Sequence, residues 1–404
     1  MNRKRIAFIK FGGLSAGGTE RWLQEMAVQL SKLGFPIDFY YCDAAPYLGS
    51  TFKHAGTDES RRKYLADHKV NLIEFRVKFK DLSSRTHNWV ETDFWEVFDE
   101  SKYAFAQSAI AGHAEYPFFK LGIPVIDFVA LSGNVNNSSN LKWTIHLSNW
   151  QRNIWRSLGG DFKASTVIPI PAFPPVTCDN LRSQLGIDAS KIVVGFHQRN
   201  DPNIFSEVPL NAFSALKSEN THFILLGGSD RHRTQAIDLE IKNVSFLDHD
   251  SSPELISKFL NTLDIFSHGR SDGETFGSVI AEAMMHSLPI LSHSVKSGAN
   301  AQKETMGPAG FFVKNQGEYT KHLKLLINDA ELRKQLGESG KDFALKNYGV
   351  ECAGIKLASL YNFLFPGSFP DVQPALTVRE NSPWWEDFMY FLRSLVNQIR
   401  SKFG

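Results

Sequence analysis

Residues 168–175 read Ile168-Pro169-Ile170-Pro171-Ala172-Phe173-Pro174-Pro175, and this run limits what the rest of the chain can build. Proline fixes φ and lacks an N–H, so four prolines in eight residues can enter neither a helix interior nor a central strand. The run is read as a linker between two folded halves. A chain of 404 residues is also too long for one ordinary hydrophobic core. Two domains are expected, 1–169 and 170–345, with a third stretch, 346–404, after them.

Each half alternates short apolar runs with helical patterns, and no internal repeat or low-complexity tract interrupts them. Arg5-Ile6-Ala7-Phe8-Ile9-Lys10 predicts a buried first strand. A glycine-rich loop follows, then a helix over 20–33 with Leu23, Met26, Ala27, Leu30 and Leu33 on one face, closed by Gly34. Residues 37–41 are the next strand, and this βαβ opening predicts a Rossmann-like sheet. Further strands are expected at 72–75, 103–106 and 124–129. The second half repeats the alternation: strands at 192–196, 223–226, 244–247 and 263–266, helices at 208–216, 253–260, 329–345 and 351–364. The fold class is therefore α/β, with two Rossmann-like domains.

Composition removes other classes. Apolar residues make 42% and charged residues 22%, which is globular rather than disordered. Lys plus Arg number 44 against 43 Asp plus Glu, so no broad basic surface for nucleic acid is expected. Cys42, Cys178 and Cys352 are far apart and form no C-x-x-C pattern, which suggests neither a disulfide framework nor a zinc site. The basic start, Met1-Asn2-Arg3-Lys4-Arg5, precedes an apolar run too short for a signal peptide. No stretch approaches the ~20 apolar residues of a spanning helix, and a cytoplasmic protein is expected.

The chemistry is concentrated at Gly273-Glu274-Thr275-Phe276-Gly277-Ser278-Val279-Ile280-Ala281-Glu282-Ala283-Met284. After Gly277, the residues Val279, Ile280, Ala283 and Met284 recur at helical spacing, whereas the residues upstream read as a short buried strand. Glu274 is thus expected in the loop at a strand's carboxyl end, where open α/β sheets bind ligands. Glu282 is expected about five residues into the helix, ~7 Å along it. The amides of Phe276 to Ser278, at a helix N-terminus, would face an anion. Two carboxylates flanking a phosphate cradle suit a ligand with hydroxyls at both ends and phosphate in the middle, which is the shape of a nucleotide sugar. The plainer reading makes Glu282 a helix-surface carboxylate and Glu274 a solvated loop residue.

This stretch resembles the E-x7-E motif of retaining glycosyltransferases of the GT-B fold, specifically glycosyltransferase family 4. The resemblance covers about residues 5–365. It implies two Rossmann-like domains facing across a cleft, with the chain crossing back to the first domain through 346–364. It implies that Glu274 contacts the donor sugar's hydroxyls and Glu282 the ribose, with Thr275, Phe276, Gly277 and Ser278 lining the donor site. It implies no cofactor and no metal, the nucleotide sugar being a co-substrate.

Other motifs are weighed in the same light. Gly12-Gly13-Leu14-Ser15-Ala16-Gly17-Gly18-Thr19-Glu20 nearly matches a phosphate-binding P-loop, but Gly18 stands where the lysine must be, so an NTPase is rejected. It does not match G-x-G-x-x-G either, which argues against a dehydrogenase. The resemblance places Gly17 and Gly18 near the donor phosphates; the plainer reading is a strand–helix turn. It likewise places His113 near the reaction centre, contacting donor sugar or acceptor, where a lone histidine unaided reads as structural. Arg199 matches an arginine that in the family neutralises the donor diphosphate. The family's second basic residue, about five positions on, is missing, for 203–205 are Asn203-Ile204-Phe205. Arg270 is the candidate to replace it. Asp248-His249-Asp250 has the D-x-D form of the GT-A fold's metal site, and is read here as a loop.

The expected activity is transfer of a sugar from a nucleotide sugar to a glycan, glycolipid or other acceptor, in polysaccharide or glycoconjugate synthesis. Glu274, His113 and Arg199 are the expected catalytic residues, with no protein nucleophile. A nucleotide-sugar epimerase and a catalytically weak scaffold or partner subunit are the alternatives. In the tail, Trp384, Phe388, Phe391, Leu392, Leu395, Ile399 and Phe403 fall on one face and Arg393, Asn397, Arg400 and Lys402 on the other. Residues 384–403 are read either as a protein contact, within the chain or between copies, or as a peripheral membrane helix serving a lipid-linked acceptor. The stretch 75–89, with Arg76, Lys78, Lys80, Arg85 and His87, is a candidate acceptor surface or a solvated loop.

Overall fold

The apolar runs become strands of two parallel sheets in the computed structural model, which describes residues 4–10, 12–15, 17–42, 56–76, 78, 92–110, 112–115, 117–250 and 252–372. The tail 384–403 and the residues Lys80, Arg85 and His87 lie outside the described residues. Among the described residues, one compact unit runs through Ile170 and resumes at Val350; the other is Pro171–Gly349.

The first unit contains β1 (Arg5–Lys10), β2 (Ile37–Tyr41), β3 (Asn71–Glu74), β4 (Tyr103–Ile110), β5 (Val125–Val129), β6 (Leu141–His146) and β7 (Ser165–Val167). They lie in the order β3-β2-β1-β4-β5-β6-β7, each neighbouring pair parallel. Its helices are α1 (Gly18–Lys32), α2 (Glu59–Asp67), α3 (Phe94–Val97) and α4 (Asn149–Ser157). The core forms because both sheet faces are covered. Ile6, Ala7, Phe8 and Ile9 are all fully buried, and so are Trp22, Leu23, Met26, Ala27 and Leu30 of α1. Trp22 stacks on Phe128 of β5 with ring centroids 3.8 Å apart.

The second unit contains β8 (Ile192–Gln198), β9 (Thr221–Gly227), β10 (Val244–Leu247), β11 (Ile265–Ser267), β12 (Gly273–Glu274), β13 (Ile290–His293), β14 (Ala299–Asn300) and β15 (Gly310–Val313). Its main sheet has the order β10-β9-β8-β11-β13-β15, and β12 pairs with β14 apart from it. The helices are α5 (Val208–Leu216), α6 (Asp230–Asp238), α7 (Pro253–Thr262), α8 (Ser278–Met285), α9 (Gln302–Met306), α10 (Gln316–Asn328) and α11 (Ala330–Tyr348). The proline run ends at the rim of this unit, where Ala172 N–H donates to Tyr348 O at 2.8 Å, so entry and exit of the unit are adjacent. The last helix, α12 (Val350–Leu364), belongs to the first unit and packs on α1.

In both sheets the chain builds outward on one side of the first strand and then on the other. The reversal falls between β1 and β4, and between β8 and β11. Neighbouring connections there leave in opposite directions, which opens a crevice at the strands' carboxyl ends. Several elements depart from the sequence reading. The strand before Glu274 is Ile265–Ser267, because Leu263 still caps α7. Glu274 is not in a free loop but in β12, held in parallel register with Asn300.

Candidate functional site

The second sheet's crevice gathers both carboxylates of the E-x7-E stretch. Gly273 has φ +67°, and a Cβ there would lie 1.7 Å from Ala299 O, so only glycine lets β12 approach β14. Gly277 caps α8 with φ +95° and ψ 64°, a left-handed turn that swings the chain from β12 into the helix. Phe276 is 3% exposed, with its ring edge-on to Tyr348 at 5.1 Å, so its side chain is core and only its backbone can meet a ligand. Thr275 and Ser278 are half-buried beside it. Glu282 is the fifth residue of α8, on the turn after its opening amides, while Ile280, Ala281, Ala283 and Met284 around it are fully buried. Burying side chains the size of Ile280 and Met284 is worth about 1.5–3 kcal/mol each, which fixes the helix against its sheet.

Each carboxylate has a histidine neighbour that the sequence did not reveal. His268 Nε2 lies 3.4 Å from Glu274 Oε1, and His197 Nε2 lies 3.3 Å from Glu282 Oε2. His197 is the penultimate residue of β8, and His268 follows β11, so the two flank the reversal point. His286, one turn past Glu282, is pushed down to about 4 by burial, against the pull of Glu282, and contacts Asn261 Oδ1 at 2.8 Å. Arg270 Nη1 donates to both Glu274 oxygens at 3.3 Å, and its Nε and Nη2 donate to Asp272 at 2.5 and 3.0 Å. Burial opposes the Arg270 charge, but these two carboxylates outweigh it and raise the guanidinium above its ordinary value. Arg270 therefore holds Glu274. Arg199, at the end of β8, is largely exposed and pairs with Asp201 at 3.0 and 3.2 Å.

Gln302, fully buried, ties this assembly to the next strand. Its Oε1 accepts from Glu274 N–H at 3.2 Å and its Nε2 donates to His293 O at 3.0 Å. His293 in turn lines a cavity of about 310 Å³ with Ser271, Ser294, Lys296, Lys314 and Gln316.

In the first unit, Gly17 caps α1 in extended conformation and Gly18 opens the helix, with Ile170 the nearest side chain to a Cβ at Gly18. Lys10, at the end of β1, donates to Ala109 O at 2.8 Å and Thr19 Oγ1 at 3.2 Å, and sits 3.3 Å from Glu20. Burial pushes the Glu20 carboxyl up, but Lys10 together with hydrogen bonds from its own backbone and from Thr19 outweighs it and leaves it below its ordinary value. His113 lies past β4, with its side chain 59% exposed and 3.9 Å from Glu115. The Asp248 carboxylate of the D-x-D run is fully exposed beside Arg233, and Asp250 accepts from Ser252 N–H at 2.7 Å. Among the described residues, no three His, Cys, Asp or Glu side chains converge as a metal site, and no helix is long and apolar enough to cross a membrane.

Residues 178–343, nearly the whole second unit, match the family model described as glycosyl transferases group 1. The second unit carries a group 1 glycosyltransferase domain. A comparison of sequences with curated proteins gives no significant match. Solved structures share the fold over both units. The glycosyltransferase is similar to Anabaena Alr3699/HepE, solved with UDP and glucose, at 17% identity and TM-score 0.64, covering 89% of this chain and 100% of that one. It is similar to a glycosyltransferase from Rickettsia africae at 15% identity and TM-score 0.68, covering 91% and 100%. It is also similar to WaaG, a glycosyltransferase involved in lipopolysaccharide biosynthesis, at 14% identity and TM-score 0.62, covering 90% and 100%. The glycosyltransferase thus has the GT-B fold.

Proposed function

We propose that this glycosyltransferase is a family 4 enzyme that moves a sugar from a nucleotide-sugar donor to a glycan, glycolipid or other acceptor, with retention of anomeric configuration, in polysaccharide or glycoconjugate synthesis. The observation that carries this reading is the placement of Glu274 and Glu282 on either side of the α8 N-terminus, at the crevice between β8 and β11. Glu282 takes the ribose hydroxyls and Glu274 the hydroxyls of the donor sugar. The amides of Phe276, Gly277 and Ser278 receive the diphosphate, with the exposed Arg199 as its cation and Arg270 holding Glu274 in place. Fixed donors aimed at the departing diphosphate stabilise the charge that develops as the glycosidic bond breaks. The leaving phosphate oxygen then helps take the acceptor's proton on the same face of the sugar. The chain's own groups carry the leaving-group charge, and no resident cofactor is invoked.

The structural relatives solved with UDP and UDP-glucose make these the first probes. A thermal-shift screen with UDP, GDP, ADP, CMP and their sugar conjugates, run beside Glu282→Ala, tests the donor site. A ligand at about 100 times its Kd adds about 2.7 kcal/mol of stability, and the shift should vanish in the variant. No shift with any nucleotide moves the reading to a scaffold. Conversion of the donor without acceptor moves it to an epimerase. An inverted linkage in the product, read by NMR, overturns retention.

A further inference from the structure

We propose that His268 is a positioning residue for Glu274, held by Ser292 as the Nε2–H tautomer so that it grips one carboxylate oxygen and leaves the remaining lone pairs facing the donor sugar. The proposal rests on the reading of Glu274 just given. Its observations are independent of that reading.

His268 is 3% exposed and Ser292 is fully buried. His268 Nδ1 lies 2.9 Å from Ser292 Oγ, and Nε2 lies 3.4 Å from Glu274 Oε1. An ionised carboxylate only accepts hydrogen bonds, so Nε2 must carry the hydrogen. A neutral imidazole has one N–H, so Nδ1 accepts, and the Ser292 hydroxyl donates to it. The serine thus selects the tautomer that the carboxylate needs, a role that partners of functional histidines often play.

The backbone beneath the ring is pinned on both sides. His268 N–H donates to Leu291 O at 2.8 Å, and Tyr319 Oη donates to His268 O at 2.9 Å. Arg270 cannot replace this support. Its side chain is 21% exposed and its two shorter bonds go to Asp272, itself 49% exposed. Without His268, Arg270 and Asp272 would draw Glu274 toward solvent.

The test separates the sugar from the nucleotide. Isothermal titrations with UDP and UDP-glucose, or with the base pair of compounds that the nucleotide screen identifies, compare wild type with His268→Ala, His268→Asn and His268→Gln. Glutamine places an amide N–H near the Nε2 position; asparagine reaches only the Nδ1 position. Losing one hydrogen bond to a charged group should weaken sugar-conjugate binding roughly ten- to hundredfold in the Ala and Asn variants, leave UDP binding unchanged, and be largely restored in the Gln variant. Equal weakening of both ligands would show a merely structural role and overturn the proposal. Unchanged binding of both would overturn it as well. The tautomer is read separately, from the side-chain ¹⁵N shifts of histidine in the unliganded enzyme. An Nδ1–H ring at His268 refutes the proposal whatever the donor. Wild type that binds no nucleotide sugar while His268 shows the Nε2–H form, lost in Ser292→Ala, would instead refute the reading of the donor site.

Discussion

Asp127, in the middle of β5, is a buried charge whose removal should stabilise the first unit in a pH-dependent way. The side chain is fully buried. Its oxygens accept from Ser108 Oγ and from Asn136 Nδ2, both at 2.7 Å. Burial raises its carboxyl from 3.8 to about 6; the two hydrogen bonds resist and are outweighed. Because the folded value lies above the unfolded one, the stability attached to the protonated form is full below 3.8 and is lost as pH rises through about 6. At ~1.36 kcal/mol per pH unit, that loss is about 3 kcal/mol. Asp127→Asn keeps the shape and removes the charge. Its carbonyl can accept from Asn136, whose own oxygen is taken by Ser138 N–H and Ser138 Oγ at 3.0 and 2.6 Å. Its amide then faces the Ser108 hydroxyl, which can rotate to accept. The variant should match wild type near pH 4 and exceed it by about 3 kcal/mol at pH 8. Hydrogen exchange of the β5 amides at both pH values reads the opening free energy of this unit without the other. A variant-minus-wild-type difference that is independent of pH, or that favours wild type at pH 8, would refute the reasoning.

His146 pulls in the opposite direction. It is fully buried against Trp155 at 4.8 Å with neither ring nitrogen hydrogen-bonded, and burial holds it down to about 3. Its stabilising share is present above 6.5 and is lost as pH falls toward 3, so His146→Phe should make the first unit more acid-resistant in urea melts between those values. Gly273→Ala forces a Cβ to 1.7 Å from Ala299 O at φ +67°. It should cost more than ~2 kcal/mol and separate β12 from β14; urea unfolding and nucleotide titration on the same preparation would check both effects. Lys10→Met leaves Glu20 buried without its cation, so that carboxyl should titrate higher than in wild type by carboxyl ¹³C NMR.

The β1–loop–α1–β2 opening was legible because each of its signals is local: an apolar run, a glycine turn, a helical stripe and Gly34. Strands β6 and β7 were not. β6 (Leu141–His146) is buried only in its second half, so no clean period marks it, and β7 has three residues. At the other sheet's edge, β15 is mostly half-buried and opens with glycine. The E-x7-E stretch could be read because both carboxylates, the turn and the helix lie within ten residues of each other. The groups that orient them could not. His268 meets Ser292 across 24 residues and Lys10 meets Ala109 across 99, and a lone histidine or a strand-end lysine carries no sign of its partner. Arg270 was found by position, but its engagement with Glu274 and Asp272 is a matter of rotamer that spacing does not encode.

The return of α12 to the first unit sets an order of events during synthesis. Gly354 lies so close to α1 that a Cβ would meet Gln29 Cβ at 2.5 Å. Tyr361 Oη donates to Gln107 Oε1 at 2.7 Å, and Phe365 stacks on Phe105 at 4.6 Å. A ribosome that has released 349 residues has already delivered every strand and helix of the second unit, yet the first unit still waits for the helix that roofs α1 and β4. The half of the chain made first is therefore the half finished last. Until α12 arrives, nascent chains must carry Phe105 and the face of α1 uncovered, and that is where a chaperone would find them.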